Sequence, residues 1–83
     1  MKKILIVEDD RRLNDGIRLA LRNEFSCSQA FSLEEAGKLL GNGSFDLVLL
    51  DVNLPDGSGL DLLAELRRTE ETPVILLTAN RME

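Results

Sequence analysis

The chain has 83 residues and a net charge of −5 at pH 7, and 43% of its residues are hydrophobic while 30% are charged. This balance is typical of one small globular domain, and an acidic domain is not expected to bind nucleic acid by itself because phosphate contacts need a basic surface. The absence of histidine excludes histidine-based catalysis. The single cysteine, Cys27, excludes an internal disulfide and indicates the reducing cytoplasm. No apolar run approaches the about 20 residues that are needed to span a membrane.

The N-terminal part of the chain predicts a strand, a helix and a weaker strand. Residues 4–7, Ile-Leu-Ile-Val, form a short β-branched run that is typical of a strand buried on both faces. Asp10 can cap a helix that starts near Arg11. The apolar stripe of this helix is predicted to consist of Leu13, Ile17, Ala20 and Leu21. Residues 26–30 are more polar and predict a strand at the edge of a sheet.

The next segment carries a helix start signal. Ser32 and Glu35 have the spacing of a capping box, in which the two side chains bind backbone N–H groups of the first turn. Gly41 and Gly43 are expected to end this second helix. Its buried residues are predicted to be Leu33, Ala36, Leu39 and Leu40.

The C-terminal part contains two further apolar runs, residues 47–50 and residues 74–77, which lead into Asp51 and Thr78. A loop with one proline and two glycines follows Asp51 and opens a third helix. The inward residues of that helix are predicted to be Leu60, Leu63, Ala64 and Leu66. Regular alternation of strands and helices predicts an α/β fold with a parallel sheet and helices on both faces.

Polar groups collect where the predicted strands end. In parallel sheets, ligands bind outside the carboxyl ends of the strands. Neighbouring carboxylates repel one another, and a divalent cation would compensate them. Because the candidate ligands are all oxygens, a hard ion such as Mg²⁺ is indicated. A carboxylate beside Mg²⁺ can attack a phosphoryl group. The residues at this edge are Glu8, Asp9, Asp10, Asp51 and Thr78.

Three motifs occur in order along the chain: I-L-I-V-E-D-D, D-V-N-L-P-D-G-S-G-L-D-L-L and P-V-I-L-L-T-A. Together they resemble the receiver domain of two-component response regulators, in the subclass that carries a winged-helix DNA-binding domain. The resemblance implies a flavodoxin-like doubly wound parallel sheet with strand order 2-1-3-4 and three helices. It also implies roles for six residues: Asp51 as phosphoacceptor, Asp9 as metal ligand, Glu8 as a ligand through water, Asn53 as a backbone-carbonyl ligand, Thr78 as the switch hydroxyl and Ala79 as the small residue beside it.

The sequence departs from this family at its end. Receivers continue into a fifth strand with a lysine that contacts the phosphoryl group, whereas the lysines here are Lys2, Lys3 and Lys38. We therefore expect residues 1–83 to be the N-terminal two-thirds of a receiver, with an incomplete sheet, slow or absent phosphorylation at Asp51 and impaired switching. In the parent protein, a sensor histidine kinase would donate the phosphoryl group, and a further domain would bind DNA to control transcription.

Two other functions stay open at this point. One is a binding or dimerisation fragment that is not phosphorylated. The other is a Mg²⁺-dependent phosphatase with an aspartate nucleophile, of the haloacid-dehalogenase type. That family wants a second aspartate two residues after the nucleophile, in its first strand, whereas Asn53 follows Asp51 here, at the third strand. A receiver would not be an enzyme but a phosphoacceptor that assists its own phosphorylation and dephosphorylation.

Crossover handedness leads to a prediction about assembly. Right-handed crossovers would place the first helix on one face of the sheet and the other two on the opposite face. One side of residues 47–50 and of residues 74–77 would then be bare, and the fourth strand would be an open apolar edge. We therefore expect a homodimer or an oligomer with exchanged elements.

Overall fold

Four parallel strands form the centre of the computed structural model, which describes residues 1–77. The elements in chain order are β1 (Lys2–Val7), α1 (Arg11–Leu21), β2 (Phe25–Ala30), α2 (Leu33–Gly41), β3 (Leu47–Asp51), β4 (Asn53–Leu54), β5 (Gly57–Ser58), α3 (Gly59–Thr69) and β6 (Val74–Leu77). The main sheet has the order β2-β1-β3-β6, and every pair in it is parallel. The predicted order 2-1-3-4 is confirmed, because β6 is the fourth strand of this sheet. None of the helices in the described part is long and apolar enough to cross a membrane.

The two faces of the sheet carry separate hydrophobic clusters, because successive strand residues point to opposite faces. On one face, α2 and α3 cover the buried strand residues Leu5, Val7, Ala30, Val48 and Leu50, and Ala36 of α2 is buried against them. On the other face, Ile17 and Leu21 of α1 pack against Ile4, Ile6 and Leu49. The predicted distribution of the three helices is therefore confirmed.

The helix starts follow the predicted caps. The carboxylate of Asp10 accepts hydrogen bonds from the backbone N–H groups of Arg12 and Leu13, and the hydroxyl of Ser32 accepts one from that of Glu35. The reciprocal half of the capping box differs from the prediction, since Glu35 accepts a hydrogen bond from the backbone of Phe31 rather than from Ser32. Both arrangements satisfy N–H groups that have no partner inside the helix.

The predicted stripes of α1 and α3 need correction. Leu13 and Leu60, predicted to be inward, are 45% and 49% exposed, and Ala20 and Ala64 are exposed as well. Their places are taken by Asn14 in α1 and Leu62 in α3, which lie one or two positions away along the chain. A shift of one residue rotates a helix face by about 100°, so the direction of packing decides which neighbour is buried. The stripe predicted for α2 is confirmed.

The loop after Asp51 contains a short antiparallel hairpin that the sequence analysis did not predict. In it β4 pairs with β5 around Pro55 and Asp56, and Gly57 has a φ of +149° that favours glycine. The carboxylate of Asp56 accepts hydrogen bonds from the backbone N–H groups of Leu33 and Glu34 at the start of α2. These bonds lower the pKa of Asp56 and connect the hairpin to α2.

The predicted bare face is smaller than expected. Leu49 of β3 is only 9% exposed and belongs to the cluster against which Ile17 and Leu21 of α1 pack, so the expectation of a bare side along residues 47–50 is wrong for this residue. On the same face of β6 the expectation holds for Ile75, which is 53% exposed, whereas Leu77 is half-buried against the α1-side cluster. Leu76, on the opposite face, is 37% exposed. Among residues 1–77, β6 pairs with a strand on one side only, which makes it an edge of the sheet.

Candidate functional site

The strand register brings three carboxylates together at the carboxyl edge of the sheet. Val7 of β1 is paired with Leu50 of β3, so the next residues along each strand, Glu8 and Asp51, lie at the same level. One carboxylate oxygen from each of Glu8, Asp9 and Asp51 lies within 4.8 Å of the other two. This trio, called the carboxylate cluster below, contains three of the four acidic residues that the sequence predicts at this edge.

Asp51 is almost completely enclosed, with 1% of its surface exposed. Its Oδ1 accepts a hydrogen bond of 3.3 Å from the backbone N–H of Asn53. Its Oδ2 is buried and has no hydrogen-bond partner among the residues that the structure describes. A buried carboxylate oxygen without a partner is costly, and such an atom indicates a position at which a cation or another donor belongs.

Glu8 is as deeply buried as Asp51, at 1% exposure. Burial raises the pKa of Glu8 from 4.5 to about 7, and the backbone N–H of Asp10 opposes this rise by donating a hydrogen bond of 3.0 Å to Oε2. The carboxylates of Asp9 and Asp51 contribute to the same rise, of which burial is the largest cause. The raised pKa means that Glu8 binds a proton at a higher pH than an ordinary glutamate does, and a proton on Glu8 relieves repulsion within the cluster.

The donor set fits a hard divalent cation. The cluster supplies carboxylate oxygens and no sulfur or imidazole, which matches the ligand preference of Mg²⁺. Asp9 is exposed, so the cluster opens to solvent on one side. A cation bound there could keep water ligands and exchange them for oxygens of a substrate. The unpartnered Oδ2 of Asp51 would gain a partner from the same ion.

The other predicted site residues have different outcomes. Asp10 caps α1 and lies outside the carboxylate cluster. Asn53 lies in β4, where it pairs with Ser58 of β5, and its N–H donates to Asp51, so the proposed role of its carbonyl stays a prediction. Thr78 and Ala79 lie outside the described residues.

A separate groove of about 490 Å³ runs between α2 and α3. Its polar lining includes the exposed carboxylates of Asp61, Glu65 and Glu70, and none of the cluster residues takes part in it. Buried carboxylates with a strongly shifted pKa mark functional sites more often than exposed ones do. The carboxylate cluster is therefore the stronger candidate.

Two further residues support the site, in roles that were not predicted from the sequence. Gly59, the first residue of α3, lies so close to the carbonyl of Asp51 that a Cβ would overlap the carbonyl oxygen. Asn14 is completely buried under the end of β1. The signal for Asn14 was present in the sequence, because a polar residue three positions before Ile17 and seven before Leu21 lies on their helical face.

Residues 4–83 match the sequence profile of the response regulator receiver domain. Among similar proteins, the transcriptional regulatory protein PmrA of Pectobacterium parmentieri is 46% identical over 93% of the chain. The transcriptional regulatory protein CpxR of Escherichia coli (strain K12) is 46% identical over the whole chain. The chain spans 36% of the length of each of these relatives.

Solved structures show the same architecture. The response regulator protein TrrA of Thermotoga maritima, in complex with Mg²⁺-BeF, has a TM-score of 0.88 and 36% identity, covering 95% of this chain and 70% of that one. The MaeR response regulator bound to beryllium trifluoride has a TM-score of 0.87 and 43% identity, covering 99% of this chain and 70% of that one.

Proposed function

Because the chain belongs to the response regulator receiver domain family, we propose that Asp51 accepts a phosphoryl group from a sensor histidine kinase. In this transfer a bond forms between a carboxylate oxygen of Asp51 and phosphorus, while the bond from phosphorus to the donor nitrogen breaks and its electron pair leaves with the donor. The observation that carries the proposal is the buried, unpartnered Oδ2 of Asp51 at the carboxylate cluster.

The proposal includes a Mg²⁺ ion at the carboxylate cluster. Asp9 and Asp51 would be direct ligands, Asn53 would contribute its backbone carbonyl, and Glu8 would bind through water. When bound, Mg²⁺ neutralises charge on the phosphoryl oxygens. The oxygen-only donor set supports this ion, and so does the Mg²⁺-BeF complex of the similar TrrA protein. Thr78 is proposed as the switch hydroxyl, by the family resemblance alone.

The wider role follows from the relatives. Since PmrA and CpxR are transcriptional regulatory proteins, we propose that phosphorylation of the parent protein controls transcription in the cytoplasm. Residues 1–83 would be the N-terminal two-thirds of the receiver, and DNA would be bound by a domain outside these residues. The receiver itself would be a phosphoacceptor that assists its own phosphorylation and dephosphorylation. The family match favours this function over the aspartate phosphatase.

Incubation with acetyl phosphate and Mg²⁺ is expected to add one phosphoryl group to the chain, slowly and at Asp51. The reaction is expected to be slow because the lysine that receivers use to contact the phosphoryl group is absent from this sequence. Intact mass spectrometry measures the gain, and borohydride reduction followed by peptide mapping identifies the residue. Omission of Mg²⁺ should prevent the gain, because the carboxylate cluster would then repel the anionic donor.

Two variants make this test specific. Asp51→Asn should remove labelling completely. Asp46→Asn should leave it intact, since Asp46 binds the backbone of Lys3 at the opposite end of the sheet. Continuous turnover of the ester without a labelled intermediate at Asp51 would support the phosphatase. A chain that is never labelled, yet still binds a histidine kinase, would support the binding fragment.

We further propose that two copies associate through β6, either edge to edge or with exchanged elements. The exposed edge of β6 and the exposed side chains of Ile75 and Leu76 support this, because unpaired apolar strands readily pair with a second chain. The histidine kinase and DNA are proposed as partners of the parent protein, whereas association through β6 is proposed for residues 1–83 themselves.

Sedimentation at micromolar concentration is expected to show a dimer or a larger oligomer. Ile75→Lys should shift the protein toward the monomer, because a charge on an edge strand opposes pairing. Lys38→Glu serves as the control: it changes the charge of an exposed residue of α2, away from β6, and should leave assembly unchanged. A cooperatively folded monomer of the unaltered chain at these concentrations would contradict the proposal.

A further inference from the structure

The buried side chain of Asn14 forms hydrogen bonds to the backbone at the ends of two strands. It lies in the first turns of α1 and is 0% exposed. Its side-chain NH₂ group donates to the carbonyl of Glu8 at 2.9 Å and to that of Ala30 at 3.2 Å, with a longer contact of 3.5 Å to Ile6. The amide therefore joins the ends of β1 and β2 to the helix that follows β1.

The orientation of the Asn14 amide is set from the other side. Its Oδ1 accepts a hydrogen bond of 2.9 Å from Nε2 of Gln29, and the same nitrogen donates to the carboxylate of Asp15 at 2.7 Å. With Oδ1 occupied by a donor, the NH₂ group faces the strand ends. All hydrogen-bonding atoms of the buried amide thus have partners, which a polar group at this depth requires.

These contacts hold the backbone on both sides of Glu8. The N–H of Glu8 donates to the carbonyl of Ala30 at 3.0 Å, and the carbonyl of Glu8 accepts from Asn14. Asn14 also binds the carbonyl of Ala30, so the three residues form a closed set of hydrogen bonds. Because the peptide groups before and after Glu8 are both fixed, the directions of its side chain and of the following Asp9 are restricted.

We propose that Asn14 is a positioning residue for the carboxylate cluster. Its amide donates to backbone carbonyls, so Asn14 is not a proposed ligand and acts by holding the Glu8–Asp9 peptide so that both carboxylates meet Asp51. The inference rests on the proposed metal-binding function, which it deepens. Residues that orient metal ligands from outside the coordination sphere commonly change metal affinity by about 10–100-fold when they are replaced.

The test compares the Mg²⁺ affinity of the unaltered chain with that of Asn14→Leu. Binding is measured in NMR titrations from the amide shifts of residues 8–10 and 51–53. Leucine has a similar volume but cannot donate to the carbonyls of Glu8 and Ala30. We expect Mg²⁺ binding to weaken by about 10–100-fold. Amide hydrogen exchange at residues 8–10 should become faster without Mg²⁺, because one anchor of this backbone is gone.

A matched control separates positioning from general stability. Leu21→Ala removes packing from the same helix but lies at its far end, against the cluster formed by Ile4, Ile6 and Leu49. It should lower the stability of the fold and leave Mg²⁺ affinity unchanged under conditions in which the chain is folded. If Asn14→Leu does not fold, Gln29→Leu provides the second test, since it frees the Asn14 amide to rotate and should weaken Mg²⁺ binding in the same direction by a smaller factor.

The outcomes distinguish failure of the positioning role of Asn14 from failure of the proposed metal site. If the unaltered chain responds to Mg²⁺ and folded Asn14→Leu binds it equally well, the positioning role is wrong and the proposed metal site stands. Equal binding by Gln29→Leu overturns the positioning role in the same way where Asn14→Leu does not fold. If the unaltered chain shows no response to Mg²⁺ at residues 8–10 and 51–53, the metal site is wrong and the positioning role falls with it.

Discussion

The metal-free protein is expected to lose on the order of 3 kcal/mol of stability as the pH rises from about 4.5 to about 7, the ordinary and the folded-state pKa values of Glu8. Burial raises the pKa of Glu8 from 4.5 to about 7. Between these two values, the folded protein binds a proton that the unfolded chain has released, so protons favour folding. This contribution is fully present below the unfolded pKa and is lost as the pH rises through the folded pKa.

Urea unfolding of the metal-free chain between about pH 5 and about pH 8 measures this dependence. Glu8→Gln should flatten this part of the profile, because glutamine is neutral and of similar shape. Glu65→Gln, at an exposed position of α3, is the matched control and should leave the slope unchanged. An equal slope in the unaltered chain and in Glu8→Gln would show that the pH dependence has another origin.

Mg²⁺ is expected to reverse the loss at the upper end of this pH range. A ligand that binds only the folded state stabilises it by mass action. Binding requires ionised carboxylates, so the stabilisation by Mg²⁺ should grow as the pH rises and Glu8 releases its proton. Asp9→Ala should remove this stabilisation, since it deletes a proposed direct ligand. A metal effect that is equal at both ends of the range would argue against ionisation of the cluster as its cause.

Gly59→Ala is expected to destabilise the fold by about 1–3 kcal/mol or more, although alanine favours helices over glycine by about 1 kcal/mol. A Cβ at this position would overlap the carbonyl oxygen of Asp51 and would lie 3.2 Å from a methyl carbon of Leu50. The first of these neighbours is backbone and cannot rotate away. Relief of the overlap must therefore move α3 or the end of β3, which carries the proposed phosphoacceptor.

Gly37→Ala is the matched control for this prediction. Nothing lies within 4 Å of a Cβ at Gly37, which is in the middle of α2. The substitution should stabilise the protein by about 0.5–1 kcal/mol through helix propensity. The difference between the two midpoints of urea unfolding gives the result. If Gly59→Ala is as stable as Gly37→Ala, the close approach between α3 and Asp51 is not a constraint on the fold.

Much of the fold could be predicted because local signals agree with one another. The apolar runs before Glu8 and Asp51, together with the caps at Asp10 and Ser32, mark the strand and helix boundaries to within a few residues. The β4–β5 hairpin was missed because two-residue strands are too short for any periodic pattern. The stripe predicted for α1 is wrong at Leu13 because hydrophobicity alone favours leucine as the buried residue, whereas the neighbouring Asn14 is buried instead.

The sequence by itself determines that Glu8, Asp9 and Asp51 end buried strands, since an apolar run that stops at a carboxylate is visible in one dimension. Only the tertiary structure decides that Val7 and Leu50 are in register, which places the carboxylates within 4.8 Å of one another. The tertiary structure also decides which polar groups are buried away from solvent. The raised pKa of Glu8, the unpartnered Oδ2 of Asp51 and the hydrogen bonds of Asn14 depend on groups far apart in the chain, because burial and electrostatic repulsion act through space.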